Sequence, residues 1–182
     1  YFRTGITVDD KSDLSPVTIA DREAETAMRE LLTREVPDHG VFGEEHGAVR
    51  TDAESVWVLD PIDGTKAFIT GLPLFGTLIS LFHRGKPVLG IIDQPILQER
   101  WLGVAGERST LNGKPISVRA CAGVASAYMY STAPSMFAGG HAQPHQALTE
   151  KVKLFRWGGH CHAYGLLAAG HVDLAVAADL TL

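Results

Sequence analysis

The sequence is poor in cysteine and has no long apolar run, no repeat and no cluster of basic residues. Its two cysteines, Cys121 and Cys161, are too few for a disulfide scaffold and lack the spacing of zinc ligands, so a reducing, cytoplasmic location is expected. No segment approaches the roughly 18 apolar residues of a membrane span. Residues 1–3 lack the pattern of a signal peptide. The net charge of -5 argues against a nucleic-acid partner.

The composition fits one folded domain over residues 1–182. With 45% hydrophobic and 20% charged residues, the chain can bury a sizeable core. Its acidity has a local consequence, because an acidic protein binds an anionic phosphate well only through a cationic group. A bound metal ion would provide that bridge.

Apolar periodicity predicts helices and strands in alternation, and hence a mixed, layered α and β class. The first helix should carry Asp21 in its first turn and end at Pro37. Residues 7–18 and 138–145 should be irregular. We expect strands at 56–59, 74–82, 87–93, 100–104, 125–131 and 172–176, a tight turn at 111–114, and further helices at 146–152 and 161–169.

Two carboxylates stand three residues apart directly after an apolar strand. Asp60 and Asp63 are separated by Pro61, which stiffens the turn, and are followed by Gly64, which lets backbone approach a ligand closely. A second acidic pair begins at Glu44. Oxygen ligands of this kind suit Mg²⁺. Either pattern alone is more typical of a solvated surface, and it is their combination that favours a metal site.

Residues 60–65 (DPIDGT) resemble the signature of the inositol monophosphatase-like superfamily. The resemblance extends to the acidic stretch 43–45, to 18–21 with its aspartate, and to 158–173. Within the superfamily, segments 66–68, 71–77 and 157–164 are most similar to bacterial histidinol-phosphatases.

This resemblance implies an α+β fold, a layered α/β/α/β/α sandwich of the inositol monophosphatase/fructose-1,6-bisphosphatase type, here without its N- and C-terminal ends. Residues 1–119 would form the metal-binding half and 120–182 part of the substrate-binding half. It also implies two or three Mg²⁺ ions, a small phosphorylated alcohol as substrate and a homodimer, with no nucleic-acid or membrane partner.

The resemblance further implies a set of metal ligands. Glu44, Asp60 and the carbonyl of Ile62 would hold one ion, and Asp60 and Asp63 a second. Lys11 lies where relatives often carry a lysine near the metals.

Catalytic and substrate roles follow from the same resemblance. Glu44 and Thr65 would position the attacking water, with Thr65 relaying hydrogen bonds from Asp21. Backbone N–H groups of Gly64 and Thr65 would bind phosphate, and Gly159 and His160 would contact the rest of the substrate.

The sequence departs from the family pattern at three places. A last metal-binding aspartate is expected a few residues after Leu180, but the sequence ends at Leu182. His160 replaces an acidic residue of histidinol-phosphatases, and Ala177 replaces a glutamate that contacts substrate.

His160 and His162 should not share a metal, because residues two apart at a helix start point in different directions. Cys161 is expected to be a buried apolar residue and not a nucleophile.

Several functions stay open at this stage. Histidinol phosphate is the preferred substrate, with inositol 1-phosphate as the alternative and a 3'-phosphoadenosine phosphate as a third. A catalytically silent family member is a hypothesis of a different kind. It is disfavoured because clustered carboxylates repel one another without a cation.

Overall fold

A computed structural model of the chain describes residues 1–10 and 16–178. Lys11 lies outside the described residues, as do the positions around Leu180. The strands are β1 (Val8–Asp10), β2 (Pro16–Thr18), β3 (Gly40–Gly43), β4 (Gly47–Val49), β5 (Ser55–Asp63), β6 (Gly76–His83), β7 (Lys86–Gln94), β8 (Glu99–Val104), β9 (Thr110–Leu111), β10 (Lys114–Pro115), β11 (Tyr128–Ser131), β12 (Leu154–Trp157) and β13 (Leu174–Val176). The α-helices are α1 (Ile19–Glu35), α2 (Thr65–Ile69), α3 (Ala142–Thr149) and α4 (His160–Ala168).

Within the described residues the strands form one large sheet, one small sheet and a hairpin. The large sheet has eight strands in the order β10-β9-β8-β7-β6-β5-β3-β4. Its neighbours are antiparallel except for β3 and β5, which run parallel. The small sheet is parallel, with β11 between β12 and β13. β1 and β2 form the hairpin.

The helices lie between and against these sheets. α1 contacts β5 of the large sheet, and α4 contacts β6 and β7 as well as β11 and β13. α3 packs on the small sheet, where His145 Nε2 lies 2.9 Å from the Ser131 hydroxyl. Helix, sheet, helix, sheet and helix thus follow one another, which confirms the layered α+β class.

The first helix begins and ends where its sequence predicts. Thr18 is the N-cap: its side chain accepts from the Asp21 N–H, and the Asp21 side chain accepts from the Thr18 N–H, which together form a capping box. The helix ends before Pro37, with the Val36 N–H bonded to the Leu32 carbonyl. Its first residues are therefore fixed by their own side chains.

The strand that carries the acidic motif is longer than predicted. Instead of ending at Asp60, β5 runs to Asp63, with a shift of its register against β6 between these two residues. The chain turns only at Gly64, whose φ of 85° favours glycine. The shift accommodates Pro61, which has no N–H to donate to a sheet.

Other boundaries also differ from prediction. Residues 7–18, expected to be irregular, contain the β1–β2 hairpin, and the C-terminal part of 138–145 belongs to α3. The predicted strand at 125–131 begins only at Tyr128, after a 3₁₀ turn at Val124–Ser126. The short elements β3, β4, α2, β9, β10 and β12 had no predicted counterpart.

An apolar cluster supports the end of β5. Ile62 packs with Ala20 of α1, and Phe68 of α2 meets Phe75 edge-on with ring centroids 4.9 Å apart. Phe2 packs against the same rings. Because Ala20, Ile62 and Phe68 come from α1, β5 and α2, their burial holds the acidic motif against the first helix.

No helix in the part of the chain that the structure describes is long and apolar enough to cross a membrane.

Candidate active site

Parallel pairing of β3 with β5 brings two predicted metal ligands together. Gly43 lies opposite Leu59, and the Glu44 N–H continues the ladder by donating to the Leu59 carbonyl at 3.1 Å. Continuing this register by one residue places Glu44, the residue after β3, beside Asp60 of β5. Their closeness depends on strand register and not on sequence spacing.

Asp60 is the most strongly perturbed acid of this site. The pKa of its carboxyl is raised to about 9, first because the group is desolvated and then because the carboxylates of Glu44 and Asp63 lie nearby. The Ile62 N–H opposes this rise only in part. In addition, Asp60 Oδ1 is buried without a hydrogen-bond partner among the described residues. A buried, partnerless oxygen among acids fits a bound cation, which would restore the missing interaction.

Asp63 contacts a segment far along the chain, at the start of α4. Its Oδ2 accepts a hydrogen bond of 2.6 Å from the backbone N–H of Cys161, in the first turn of α4. A carboxylate at a helix N-terminus is stabilised by the exposed N–H groups and by the helix dipole. Among the described residues, no three His, Cys, Asp or Glu side chains are grouped so that they could hold a metal ion. The joint ligation by Glu44, Asp60 and Asp63 therefore stays a prediction.

A side chain of the motif is hydrogen-bonded to the motif's own backbone. The Thr65 hydroxyl donates to the Ile62 carbonyl at 3.2 Å. Asp21 is buried, and its carboxylate accepts from the N–H and the hydroxyl of Thr18. In the described part of the chain no hydrogen bond joins Thr65 to Asp21, so the relay between them, like the role of Ile62 as a ligand, stays a prediction.

His160 lies directly against the turn that ends the motif. A Cβ at Gly64 would be only 3.1 Å from the His160 Cγ, so the imidazole covers this glycine. His160 itself has a φ of 43°, uncommon for a residue with a side chain. Burial lowers the pKa of its imidazole, and Lys66 adds to the effect while Asp63 opposes it. The ring is therefore mainly neutral at pH 7.

Gly159 lies where the start of α4 comes close to strand β11. A Cβ at this position would be 2.6 Å from the Ala163 Cβ and 2.9 Å from a ring carbon of Tyr130. The glycine thus permits α4 to begin against β11. Cys161, two residues further on, is buried, and burial raises the pKa of its thiol, which agrees with its expected role as an apolar residue.

Comparison with known proteins agrees with this arrangement. The family model described as the inositol monophosphatase family matches residues 1–181. The chain belongs to the inositol monophosphatase family.

Relatives within this family carry more than one activity in their names. A "Bifunctional phosphatase IMPL2, chloroplastic" from Arabidopsis thaliana is 50% identical over 182 residues, which are 99% of this chain and 53% of that protein. A histidinol-phosphatase from Mycobacterium tuberculosis is 38% identical over 92% of this chain and 67% of its own length. The solved structure of an inositol monophosphatase from Zymomonas mobilis matches with a TM-score of 0.88 and 48% identity, over 99% of this chain and 70% of that one.

The chain thus spans about half to two thirds of the length of these inositol monophosphatase family relatives. Its fold and family follow from the matches. The relatives' names differ in substrate.

Sequence reasoning missed one residue that the structure connects to the site. Glu25 is fully buried in α1 and binds the backbone that follows Glu44. Its position, one helical turn after Asp21 and on the same face, was the available signal.

Proposed function

We propose that this chain is the core of a Mg²⁺-dependent phosphomonoesterase that hydrolyses a small-molecule phosphate ester, with histidinol phosphate as its substrate. The observation that carries the proposal is the Asp60 carboxyl, which is desolvated beside Glu44 and Asp63 and has one buried oxygen without a partner. Acids in such an environment are more common at functional sites than at structural ones.

Glu44, Asp60, Asp63 and the carbonyl of Ile62 would hold the cation. Mg²⁺ at such a site supplies Lewis acidity and a more acidic bound water for attack on phosphorus. The protein contributes the fixed oxygens: the register of β3 against β5 presents Glu44, and the apolar cluster below β5 keeps the motif rigid.

Backbone donors of the turn would bind the phosphate. Gly64 has a left-handed conformation, and a turn of this kind directs successive N–H groups toward one side, where an anion can be bound. Thr65 would hold the attacking water with its hydroxyl, together with Glu44. Asp21 fixes the start of α1 beneath them through Thr18.

The substrate's alcohol would contact the C-terminal edge of the small sheet. Gly159 and His160 follow β12, and Ala177 follows β13, so these positions lie at the same edge of a parallel sheet. Ligands of such sheets bind at this edge. The relatives named histidinol-phosphatases support histidinol phosphate as substrate.

A phosphate-release assay tests the proposal. Histidinol phosphate, inositol 1-phosphate and a 3'-phosphoadenosine phosphate are compared with and without Mg²⁺, and Asp60→Asn serves as the inactive control. We expect Mg²⁺-dependent release with histidinol phosphate as the best substrate. Preference for inositol 1-phosphate would overturn the substrate, and no release from any ester would favour the catalytically silent alternative.

A second variant probes the substrate contact. His160→Asp introduces an acid beside Gly64 that can pair with the amine of histidinol phosphate. It should raise kcat/KM for this ester relative to inositol 1-phosphate, which has no amine. An unchanged ratio would mean that position 160 does not contact the alcohol.

A further inference from the structure

Glu25 binds the turn that carries a proposed metal ligand. Its carboxylate accepts from the Glu45 N–H at 2.7 Å and from the His46 N–H at 3.1 Å. It also forms an ion pair with Arg29, one turn later in α1, with 2.7 Å between Nε and Oε1. Arg29 continues to the Gly47 carbonyl. A fully buried carboxylate is therefore completely engaged by the turn and by its neutralising partner.

The end of β3 is shaped to admit this carboxylate. A Cβ at Gly43 would lie 2.1 Å from the Glu25 Oε1 and 2.8 Å from an Arg29 Nη atom. Gly43 does not have a positive φ, so its backbone conformation does not itself call for glycine. The glycine thus leaves the space that the Glu25 carboxylate occupies, and a Cβ here would displace that carboxylate.

These contacts fix the backbone of Glu44 from two directions. On one side the Glu44 N–H is bonded to the Leu59 carbonyl of β5. On the other side the next two N–H groups are bonded to Glu25. Rotation of the turn would break charge-assisted hydrogen bonds to the Glu25 carboxylate, which is fully buried and would lose its donors. The direction in which Glu44 leaves the strand is therefore set from α1.

We propose that Glu25, together with Gly43, is a positioning residue that orients Glu44 for cation binding. The inference rests on the proposed function, since it concerns the ligand set of that site. Glu25 does not touch the cation; it acts through the backbone of residues 44–46. Loss of partners that orient a metal ligand typically lowers metal affinity by about 10–100-fold.

The first experiment measures Mg²⁺ binding to the full natural chain by calorimetry, alongside turnover. Glu25→Gln keeps the size of the side chain but replaces one acceptor oxygen with an NH₂ group. That NH₂ group would face donors, because the two backbone N–H groups and the Arg29 guanidinium all point at this carboxylate. The Mg²⁺ dissociation constant should rise by about 10–100-fold. Glu30→Gln, an exposed position on the same helix, is the matched control and should leave the constant unchanged.

A second measurement separates positioning from general stability. Met129→Ala empties a fully buried position in the small sheet, so it should lower the melting temperature without weakening Mg²⁺ binding. If Met129→Ala and Glu25→Gln weaken binding equally at similar loss of stability, the role of Glu25 is structural and the proposal is wrong.

A double-variant cycle tests whether Glu25 and Gly43 act through the same contact. Gly43→Ala alone should displace the carboxylate and weaken Mg²⁺ binding, whereas in a Glu25→Ala background it should have little further effect, because the clash with the carboxylate is gone and Arg29 is no longer held by its ion pair. Additive losses would overturn the shared role. Unaltered Mg²⁺ binding in Glu25→Gln would refute the inference alone, while a wild-type chain without Mg²⁺ binding would refute the proposed function itself.

Discussion

The raised pKa of Asp60 makes a sharp prediction about how stability depends on pH. The ordinary pKa of this carboxyl is 3.8, and in the folded protein it is about 9. At a pH between these two values, the folded protein without a cation keeps a proton on Asp60 that the unfolded chain releases. The folded state then binds more protons, so the free energy of unfolding falls as pH rises. This stability is fully present below about pH 4 and is lost progressively up to about pH 9.

The size of this effect follows from the shift. Each pH unit corresponds to about 1.4 kcal/mol, which gives at most about 4 kcal/mol between pH 4 and pH 7. Because Asp60 as a whole is only half-buried, solvent screens part of this energy. We therefore expect a loss on the order of 1–2 kcal/mol over this interval from Asp60 alone.

Urea unfolding in chelator and in saturating Mg²⁺ measures the effect. Asp60→Asn removes the titrating group and should flatten the pH dependence in chelator, whereas the exposed Asp52→Asn should not. Mg²⁺ should stabilise the wild type increasingly as pH rises, because it competes with the proton on Asp60. Equal pH dependence of the wild type and Asp60→Asn in chelator would refute the argument.

Three further predictions concern the motif and α4. Asp60→Asn should lower Mg²⁺-dependent turnover by about 100-fold or more while the far-ultraviolet circular dichroism spectrum is retained, and near-normal turnover would exclude Asp60 as a ligand. Thr65→Ala should lower kcat by about 100-fold and leave the Mg²⁺ dissociation constant unchanged, whereas weaker Mg²⁺ binding would make Thr65 a ligand. Gly159→Ala should cost about 1–3 kcal/mol in urea unfolding, because its Cβ would overlap Ala163 and Tyr130, and a neutral effect would mean that α4 can shift freely.

The sequence predicted elements whose signals are local. α1 was predicted correctly because Thr18 and Asp21 form their cap within one turn and Pro37 prevents continuation. The hairpin of β6 and β7 follows from two apolar runs joined at Gly85. In contrast, the strand end at Asp60 was wrong, because the sheet partner β6 extends β5 past a proline that normally ends a strand.

The relation between the acids of the site depends on contacts that no local pattern encodes. Asp63 meets the Cys161 N–H across 98 positions of sequence, and Glu25 meets the turn after Glu44 across 20. In both contacts a carboxylate accepts from backbone N–H groups, which every sequence contains, so neither partner carries a recognisable side chain. Motif reasoning finds the residues that contact a ligand, since their chemistry is specific. It overlooks residues such as Glu25, whose contacts with the turn after Glu44 are made to backbone N–H groups and need the space left by the missing Cβ of Gly43.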